Sequence, residues 1–206
     1  MALRVVVLVS GSGTLLQSLI DAQSGPEFGA RIVAVGSDRP AVEGLDRARQ
    51  AGIPTFSHPL PKGADRAAWD RALTELVADH QPDVVVLAGF MKLVGAAFLE
   101  KFSGRIINSH PALLPSFPGM HGTRDALDHG VKITGSTVFL VDDGVDSGAI
   151  LDQAAVRVLD DDTVDSLHER IKITERELLV RVVARMAAQS WWVEGRKICW
   201  GGSDGR

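Results

Sequence analysis

An amide and an imidazole stand two residues apart in this chain, at Asn108 and His110. Residues 105–107 are mostly apolar and predict a short strand that ends in this pair, and prolines follow His110 too closely for an ordinary helix or ladder. Side chains two residues apart on an extended chain point to the same side. Ligands of α/β proteins bind at the carboxyl ends of strands, so the pair is a candidate for acid–base or oxyanion chemistry. The alternative is that both side chains only satisfy backbone groups of a proline-rich loop.

A second candidate site is the glycine-containing loop of residues 10–14, which reads Ser-Gly-Ser-Gly-Thr. A β-branched run at 4–9 precedes it, and an amphipathic helical pattern follows it. A strand, a glycine loop and a helix in this order direct free backbone N–H groups and the positive end of a helix towards an anion such as a phosphate. The loop matches neither the dinucleotide fingerprint nor the Walker A pattern, and a tight turn that binds nothing is the alternative.

Composition narrows the class of protein and of partner. The chain has 206 residues, of which 45% are hydrophobic and 23% charged, as in a globular domain with a large core. Its net charge of −4 provides no general basic surface, so we expect no nucleic acid and no membrane among its partners. The single cysteine, Cys199, excludes an internal disulfide framework and a cysteine metal cluster, and we predict no metal site. The apolar run at 5–9 is too short to span a bilayer and lacks a signal-peptide pattern, so we expect a cytoplasmic protein.

Strand and helix patterns alternate through the first part of the chain. This alternation predicts an α/β fold: a single domain with a mostly parallel, doubly wound sheet and flanking helices. The strand patterns lie at residues 4–9, 32–35, 55–56, 84–88 and 105–107, and the clearest helical patterns between them lie at 15–20, 44–51 and 65–79.

The order changes after residue 130. Residues 134–141 and 150–158 predict two strands that can pair as a hairpin, which would form an antiparallel edge. A long helical pattern then runs from Thr163 to about Ala188, after an acidic run that suits a helix N-terminus. We therefore divide the chain into one domain at 1–189 and a C-terminal tail at 190–206 that packs on, or extends from, the same domain.

The motif around Asn108 reads Asn-Ser-His-Pro-Ala-Leu-Leu-Pro; Gly-Phe-Met at 89–91 precedes it and Val-Asp-Ser-Gly at 145–148 follows it. This combination resembles the formyltransferase family that uses 10-formyltetrahydrofolate, and the resemblance covers nearly the whole chain. It implies transfer of a formyl group from 10-formyltetrahydrofolate to the amine of glycinamide ribonucleotide, a step of purine biosynthesis. The implied partners are these two small molecules. A homodimer is left open.

The resemblance also assigns roles to individual residues. It implies a catalytic trio of Asn108, His110 and Asp146. It implies that the phosphate of the ribonucleotide is held at Gly13, Thr14 and Leu15, and that the ribose meets Glu175. It implies folate contacts at Arg66, Met91, Lys92, Leu93, Val94 and Asn108.

The chemistry explains why these residue types are suited to the reaction. Formyl transfer between two nitrogens passes through a tetrahedral carbon that bears an oxyanion, and removing one donor from such a site typically costs about a hundredfold to a thousandfold in rate. The amide of Asn108 can be one donor and a protonated His110 another. The carboxylate of Asp146 would favour the imidazolium and could pass protons between the two nitrogens through a water molecule. No metal, nucleophilic serine or covalent intermediate is needed.

Two positions depart from the family pattern. Leu15 stands where the family usually carries asparagine, which removes one side-chain contact to the phosphate but leaves the backbone donors. Phe139 stands where the family usually carries histidine, which puts an auxiliary proton-transfer role in doubt. Two alternatives therefore stay open: a formyltetrahydrofolate deformylase, which uses water as the acceptor, and a non-catalytic module that binds folate or nucleotide. The phosphate loop favours a phosphorylated acceptor over water.

Overall fold

The computed structural model of the chain describes residues 1–202, which divide into two compact units. The first unit is Met1–Ile107, and the second begins at Asn108. Each unit is described separately, because each contains a different part of the predicted site.

The first unit consists of parallel strands connected by helices. Its strands are β1 Leu3–Val9, β2 Ala30–Ser37, β3 Thr55–Ser57 and β4 Val84–Leu87. Its helices are α1 Thr14–Gln23, α2 Glu43–Gln50, α3 Arg66–Ala78 and α4 Ala96–Lys101. The strands pair in parallel in the order β3-β2-β1-β4. Every residue of β4 is buried, as its continuous apolar run predicted.

The second unit begins within a strand and continues with antiparallel pairs. Its strands are β5 Ile106–His110, which continues into it, β6 Ile133–Leu140, β7 Ile150–Arg157, β8 Trp191–Glu194 and β9 Lys197–Trp200. Its helices are α5 Gly122–Asp128 and α6 Val164–Ala188. The strand order is β5-β6-β7-β9-β8. β6 and β7 pair antiparallel over nearly their whole length, and β8 and β9 form a second antiparallel pair.

The predicted α/β class is confirmed, with mostly parallel strands, flanking helices and antiparallel strands after residue 130. The helical patterns predicted to start at residues 65 and 163 also agree with the starts of α3 and α6. The carboxylate of Asp65 accepts hydrogen bonds from the first N–H groups of α3, and Thr163 forms a capping box with Ser166 at the start of α6. The short helix α4 was not predicted, because it has only six residues and Gly95 at its N-cap provides no side-chain cap.

The C-terminal tail, which we predicted only to pack on or extend from the domain, forms the antiparallel strands β8 and β9. β9 pairs in parallel with β7 where Lys197 lies opposite Ile150, and the Arg185 guanidinium of α6 lies 4.0 Å from the Trp200 ring centroid. Both contacts lie within the second unit. Residues 203–206 of the predicted tail fall outside the described residues.

None of the helices in residues 1–202 combines the length and the apolar composition that a membrane crossing requires. Over the same residues, no group of three or more His, Cys, Asp or Glu side chains is arranged to hold a metal ion.

Candidate active site

Strand β5 carries the predicted pair at its carboxyl end. Its residues 106 and 107 are fully buried and anchor the strand, and His110 is its last residue. Alternation along the strand places Asn108 and His110 on one side and Ser109 on the other. The imidazole of His110 is only 4% exposed, so contacts with the protein, rather than bulk water, surround it.

The His110 imidazole contacts the Asp146 carboxylate. His110 Nδ1 lies 3.4 Å from Asp146 Oδ2, and that oxygen also accepts the Gly119 N–H at 2.7 Å. On the other edge of the ring, Nε2 donates to the Phe117 carbonyl oxygen at 2.7 Å, since a carbonyl can only accept. Both ring nitrogens therefore face oxygen atoms of the protein. The structure thus brings two of the predicted catalytic residues together and leaves Nδ1 as the nitrogen that faces the carboxylate.

The backbone around this contact is held in an uncommon conformation. Phe117 and Asp146 have positive φ values of 56° and 51°, a left-handed conformation that costs a residue other than glycine on the order of 1–3 kcal/mol. Such residues tend to occur at functional sites. Gly122, at the start of α5, is needed for another reason: a Cβ there would lie 2.9 Å from His110 Nε2 and 3.1 Å from the Phe117 oxygen. A side chain at this position would displace the imidazole.

The Asn108 side chain is oriented by its neighbour. Its Oδ1 accepts the backbone N–H of Ser109 at 2.9 Å, which leaves Nδ2 as the donor end of the amide. In residues 1–202 no protein group accepts from Nδ2. An amide held in this way presents a donor without first losing another bond, as an oxyanion site requires.

A buried polar network holds the loop that follows His110. Thr137 Oγ1 donates to the Ala112 carbonyl oxygen at 2.7 Å and accepts the Leu114 N–H at 3.0 Å. Gln153 Nε2 donates to the Leu114 carbonyl oxygen at 2.8 Å and lies 2.9 Å from Thr137 Oγ1. These contacts come from β6 and β7, far along the chain, so the motif alone did not reveal them.

Glu175 lies on the inner face of α6 in the second unit and is 8% exposed. Burial raises the pKa of its carboxyl group, and a hydrogen bond with Ser109 and the positive charges of Lys172 and Arg176 oppose that rise. The structure therefore connects Glu175 to β5 through Ser109. Its predicted contact with a ribose stays a prediction.

The glycine loop of the first unit presents backbone rather than side chains. Gly13 is the N-cap of α1 with φ +70°, and a Cβ there would lie 2.6 Å from the Gly44 Cα. The loop is held from behind, because Gly44 N–H donates to the Gly11 oxygen at 3.0 Å and Arg47 Nε donates to the Ser12 oxygen at 2.8 Å. Within residues 1–202 no side chain caps α1, so the N–H groups at its start, which include those of Thr14 and Leu15, lack a side-chain acceptor.

Residues 91–94 of the first unit form an exposed segment between β4 and α4. Met91 and Leu93 are 66% and 68% exposed, which is unusual for large apolar side chains and suits contact with a flat ligand. Lys92 Nζ lies 3.8 Å from Asp38 Oδ2, and Arg66 Nη2 donates to the Leu93 carbonyl oxygen at 2.6 Å. The structure therefore brings Arg66 together with the 91–94 segment, although the guanidinium holds backbone there.

Comparison with known proteins points to one family. Residues 3–183 match the formyl transferase family. A phosphoribosylglycinamide formyltransferase of Mycobacterium tuberculosis is 53% identical over 193 residues, which span 94% of this chain and 89% of that protein. The crystal structure of a glycinamide ribonucleotide transformylase of Symbiobacterium toebii has a TM-score of 0.93 and 42% identity, over 97% of this chain and 94% of that one. A formyltetrahydrofolate deformylase of Pseudomonas syringae has a TM-score of 0.90 and 26% identity, over 98% of this chain and 66% of that one.

Proposed function

The chain belongs to the formyl transferase family, and on that premise we propose that it transfers the formyl group of 10-formyltetrahydrofolate to the amine of glycinamide ribonucleotide in purine biosynthesis. The observation that carries this proposal is the contact between His110 Nδ1 and Asp146 Oδ2 at 3.4 Å. A formyl transfer must remove one proton and deliver another, and an imidazole beside a carboxylate is suited to both steps.

The reaction proceeds by direct attack. The amine of the ribonucleotide adds to the formyl carbon, and the carbonyl electrons move to oxygen to give an oxyanion. Asn108 Nδ2 and a protonated His110 Nδ1 donate to that oxygen, and each such donor is typically worth about a hundredfold or more in rate. Asp146 accepts the proton that the attacking amine loses, through a bridging water, and returns it through that water to the folate nitrogen as the bond between this nitrogen and the formyl carbon breaks. The products are the formylated amide and tetrahydrofolate.

The two ligands are proposed to bind through different kinds of group. The ribonucleotide phosphate is bound by backbone N–H groups of the glycine loop and of the start of α1, which are the groups that lack a side-chain cap. Its ribose is bound by Glu175. The folate is bound by Arg66, the 91–94 segment and Asn108. The departure at Leu15 leaves this scheme intact, because the donors that it uses are backbone groups.

We further propose that residues 1–189 form the formyltransferase domain, that 190–206 are a tail, and that the protein acts in the cytoplasm. The scheme needs no second copy of the chain. Sedimentation of the purified protein would reveal a homodimer as a doubling of mass.

A two-substrate assay tests the activity. Purified protein with 10-formyltetrahydrofolate should release tetrahydrofolate only when glycinamide ribonucleotide is present, and formylated ribonucleotide should accumulate in equal amount. Release at the same rate without the ribonucleotide would identify a deformylase instead, the activity of the Pseudomonas syringae neighbour. Binding of both ligands without turnover would identify a non-catalytic module, which the Phe139 departure had left open.

A further inference from the structure

The 91–94 segment is held by side chains from elements distant in sequence. At its start, the Met91 N–H donates to Ser10 Oγ at 2.8 Å, and Ser10 Oγ–H donates to Asp38. Near its end, Arg66 donates to the Leu93 carbonyl oxygen. A segment with two exposed apolar side chains and little regular structure would otherwise sample many conformations, so these contacts determine which one it presents.

A further contact lies directly after the segment, at Asp70 of α3. Its carboxylate is buried, with the residue only 4% exposed. Asp70 Oδ1 accepts the Gly95 N–H at 2.5 Å and Oδ2 accepts the Phe98 N–H at 3.2 Å. These are N–H groups at the start of α4, whose own N-cap residue, Gly95, has no side chain. A carboxylate from another helix thus caps α4, and charge-assisted bonds of this kind are about twice as strong as neutral ones.

Gly95 is the matching element on the other side of this contact. Its φ is −100°, which any residue can adopt, so backbone freedom does not explain the glycine. A Cβ at this position would lie 2.7 Å from Asp70 Cγ and 2.8 Å from Oδ2. The glycine is required because the carboxylate approaches the backbone so closely, and Gly95 and Asp70 therefore form one unit.

Two residues of α3 hold the same stretch of backbone. Arg66 and Asp70 are one helical turn apart and lie on the same face of α3. Arg66 binds the carbonyl group of Leu93, and Asp70 binds the N–H group of Gly95. Arg66 is exposed, whereas Asp70 is buried. A buried carboxylate with two backbone bonds has far less freedom than an exposed guanidinium, so Asp70 is the fixed end of the pair.

We propose that Asp70 is a positioning residue for folate binding: by capping α4 it fixes the conformation in which the 91–94 segment receives the folate. This inference rests on the proposed function, because it takes from it that the 91–94 segment contacts the folate. Asp70 is buried behind the segment, so its effect acts through the backbone and should fall on the folate alone.

The test compares Asp70→Asn with Asp79→Asn, a matched change at an exposed position at the end of the same helix. An asparagine at 70 keeps one acceptor but turns an N–H donor towards another N–H, so one of the two bonds is lost. We expect the KM for 10-formyltetrahydrofolate to rise roughly tenfold in Asp70→Asn. The kcat and the KM for glycinamide ribonucleotide should stay within about twofold of the parent, and Asp79→Asn should change none of the three.

A second variant and a binding measurement make the result decisive. In Gly95→Ala the new Cβ displaces the Asp70 carboxylate from the start of α4. This variant should therefore also raise the KM for 10-formyltetrahydrofolate without raising the KM for glycinamide ribonucleotide. Titration calorimetry with tetrahydrofolate should show weaker binding in both variants, whether or not the protein turns over glycinamide ribonucleotide. Equal rises in both KM values, or a lower melting temperature with unchanged tetrahydrofolate affinity, would overturn the proposal. If the parent protein did not formylate the ribonucleotide, the proposed function would be wrong. Weaker tetrahydrofolate binding in both variants would then still support the role of Asp70.

Discussion

The two units of the molecule build their parts of the site in opposite ways. In the first unit the glycine loop presents backbone groups, and the side chains of Arg47 and Arg66 bind the backbone of that loop and of the 91–94 segment, respectively. In the second unit the side chains of His110 and Asp146 are presented, and the backbone groups of Phe117 and Gly119 hold them. The first unit thus holds backbone in a defined conformation, whereas the second holds two titratable side chains in contact.

This difference predicts how each unit should respond to mutation. Where backbone binds the ligand, a substitution acts by displacing that backbone, so it should weaken binding and leave the chemical step alone. Where side chains do the chemistry, a substitution of nearly the same shape can abolish proton transfer without disturbing binding. The contrast between KM and kcat therefore separates the two units experimentally.

The largest effect should come from Asp146→Asn. The amide has nearly the same shape and can still accept the Gly119 N–H, so the loop should keep its conformation. It cannot accept the proton of the attacking amine. We expect kcat to fall by about a hundredfold to ten-thousandfold, while the affinity for glycinamide ribonucleotide changes less than about threefold. Steady-state kinetics together with direct titration of the ribonucleotide would measure both quantities.

Asp143→Asn provides the control for this variant. Asp143 lies in the same acidic loop and is exposed, so its substitution removes the same charge without touching His110. Its kcat should match that of the parent. If Asp146→Asn lost as much ribonucleotide affinity as turnover, Asp146 would be a binding residue and the proton-transfer role would be wrong.

A smaller effect is expected in the first unit, where Gly13→Ala and Gly11→Ala form a matched pair. At Gly13 the new Cβ would meet the Gly44 backbone at 2.6 Å, and the left-handed φ would cost about 1–2 kcal/mol more. At Gly11 nothing lies within 4 Å of the new Cβ. We expect Gly13→Ala to raise the KM for the ribonucleotide by roughly tenfold to a hundredfold with little change in kcat, and Gly11→Ala to raise it by less. The same KM rise in both variants would mean that loop geometry does not set phosphate binding.

Much of the fold could be predicted from local pattern because its signals are local. The β-branched run of β1 and the helical patterns of α3 and α6 each lie within the element that they define. α4 could not be predicted, because the residue that caps it, Asp70, comes from another helix. The hairpin β8–β9 was missed although its own pairing is local, because each of its strands has only four residues.

The candidate site likewise has parts that local sequence could indicate and parts that depend on tertiary contacts. The motif around His110 could be recognised because the residues that we propose to react act through side chains with definite chemistry. The groups that orient them, the Phe117 oxygen and the Gly119 N–H, are backbone, and every residue has them, so no residue type could reveal them. Gly122 and Gly95 are a partial exception, because each glycine marks a close approach by a side chain. The identity of the approaching side chain follows only from the folded structure.

The smallest expected effect is on the pH dependence of stability, and it comes from Glu175, whose carboxyl group bonds to Ser109 in the second unit. Burial raises the pKa of its carboxyl group above the value near 4.3 expected in the unfolded chain. Between these two pKa values the folded protein binds the proton more tightly, so stability should fall as pH rises through that window and level off above it.

Glu175→Gln removes the titration, and its neutral amide can still bond to Ser109. In urea unfolding from pH 4 to pH 8 the variant should therefore lose less stability than the parent. Glu177→Gln, an exposed change on the same helix, should follow the parent curve. If Glu175→Gln kept the parent's slope, burial would not raise the pKa of the Glu175 carboxyl group in the folded state.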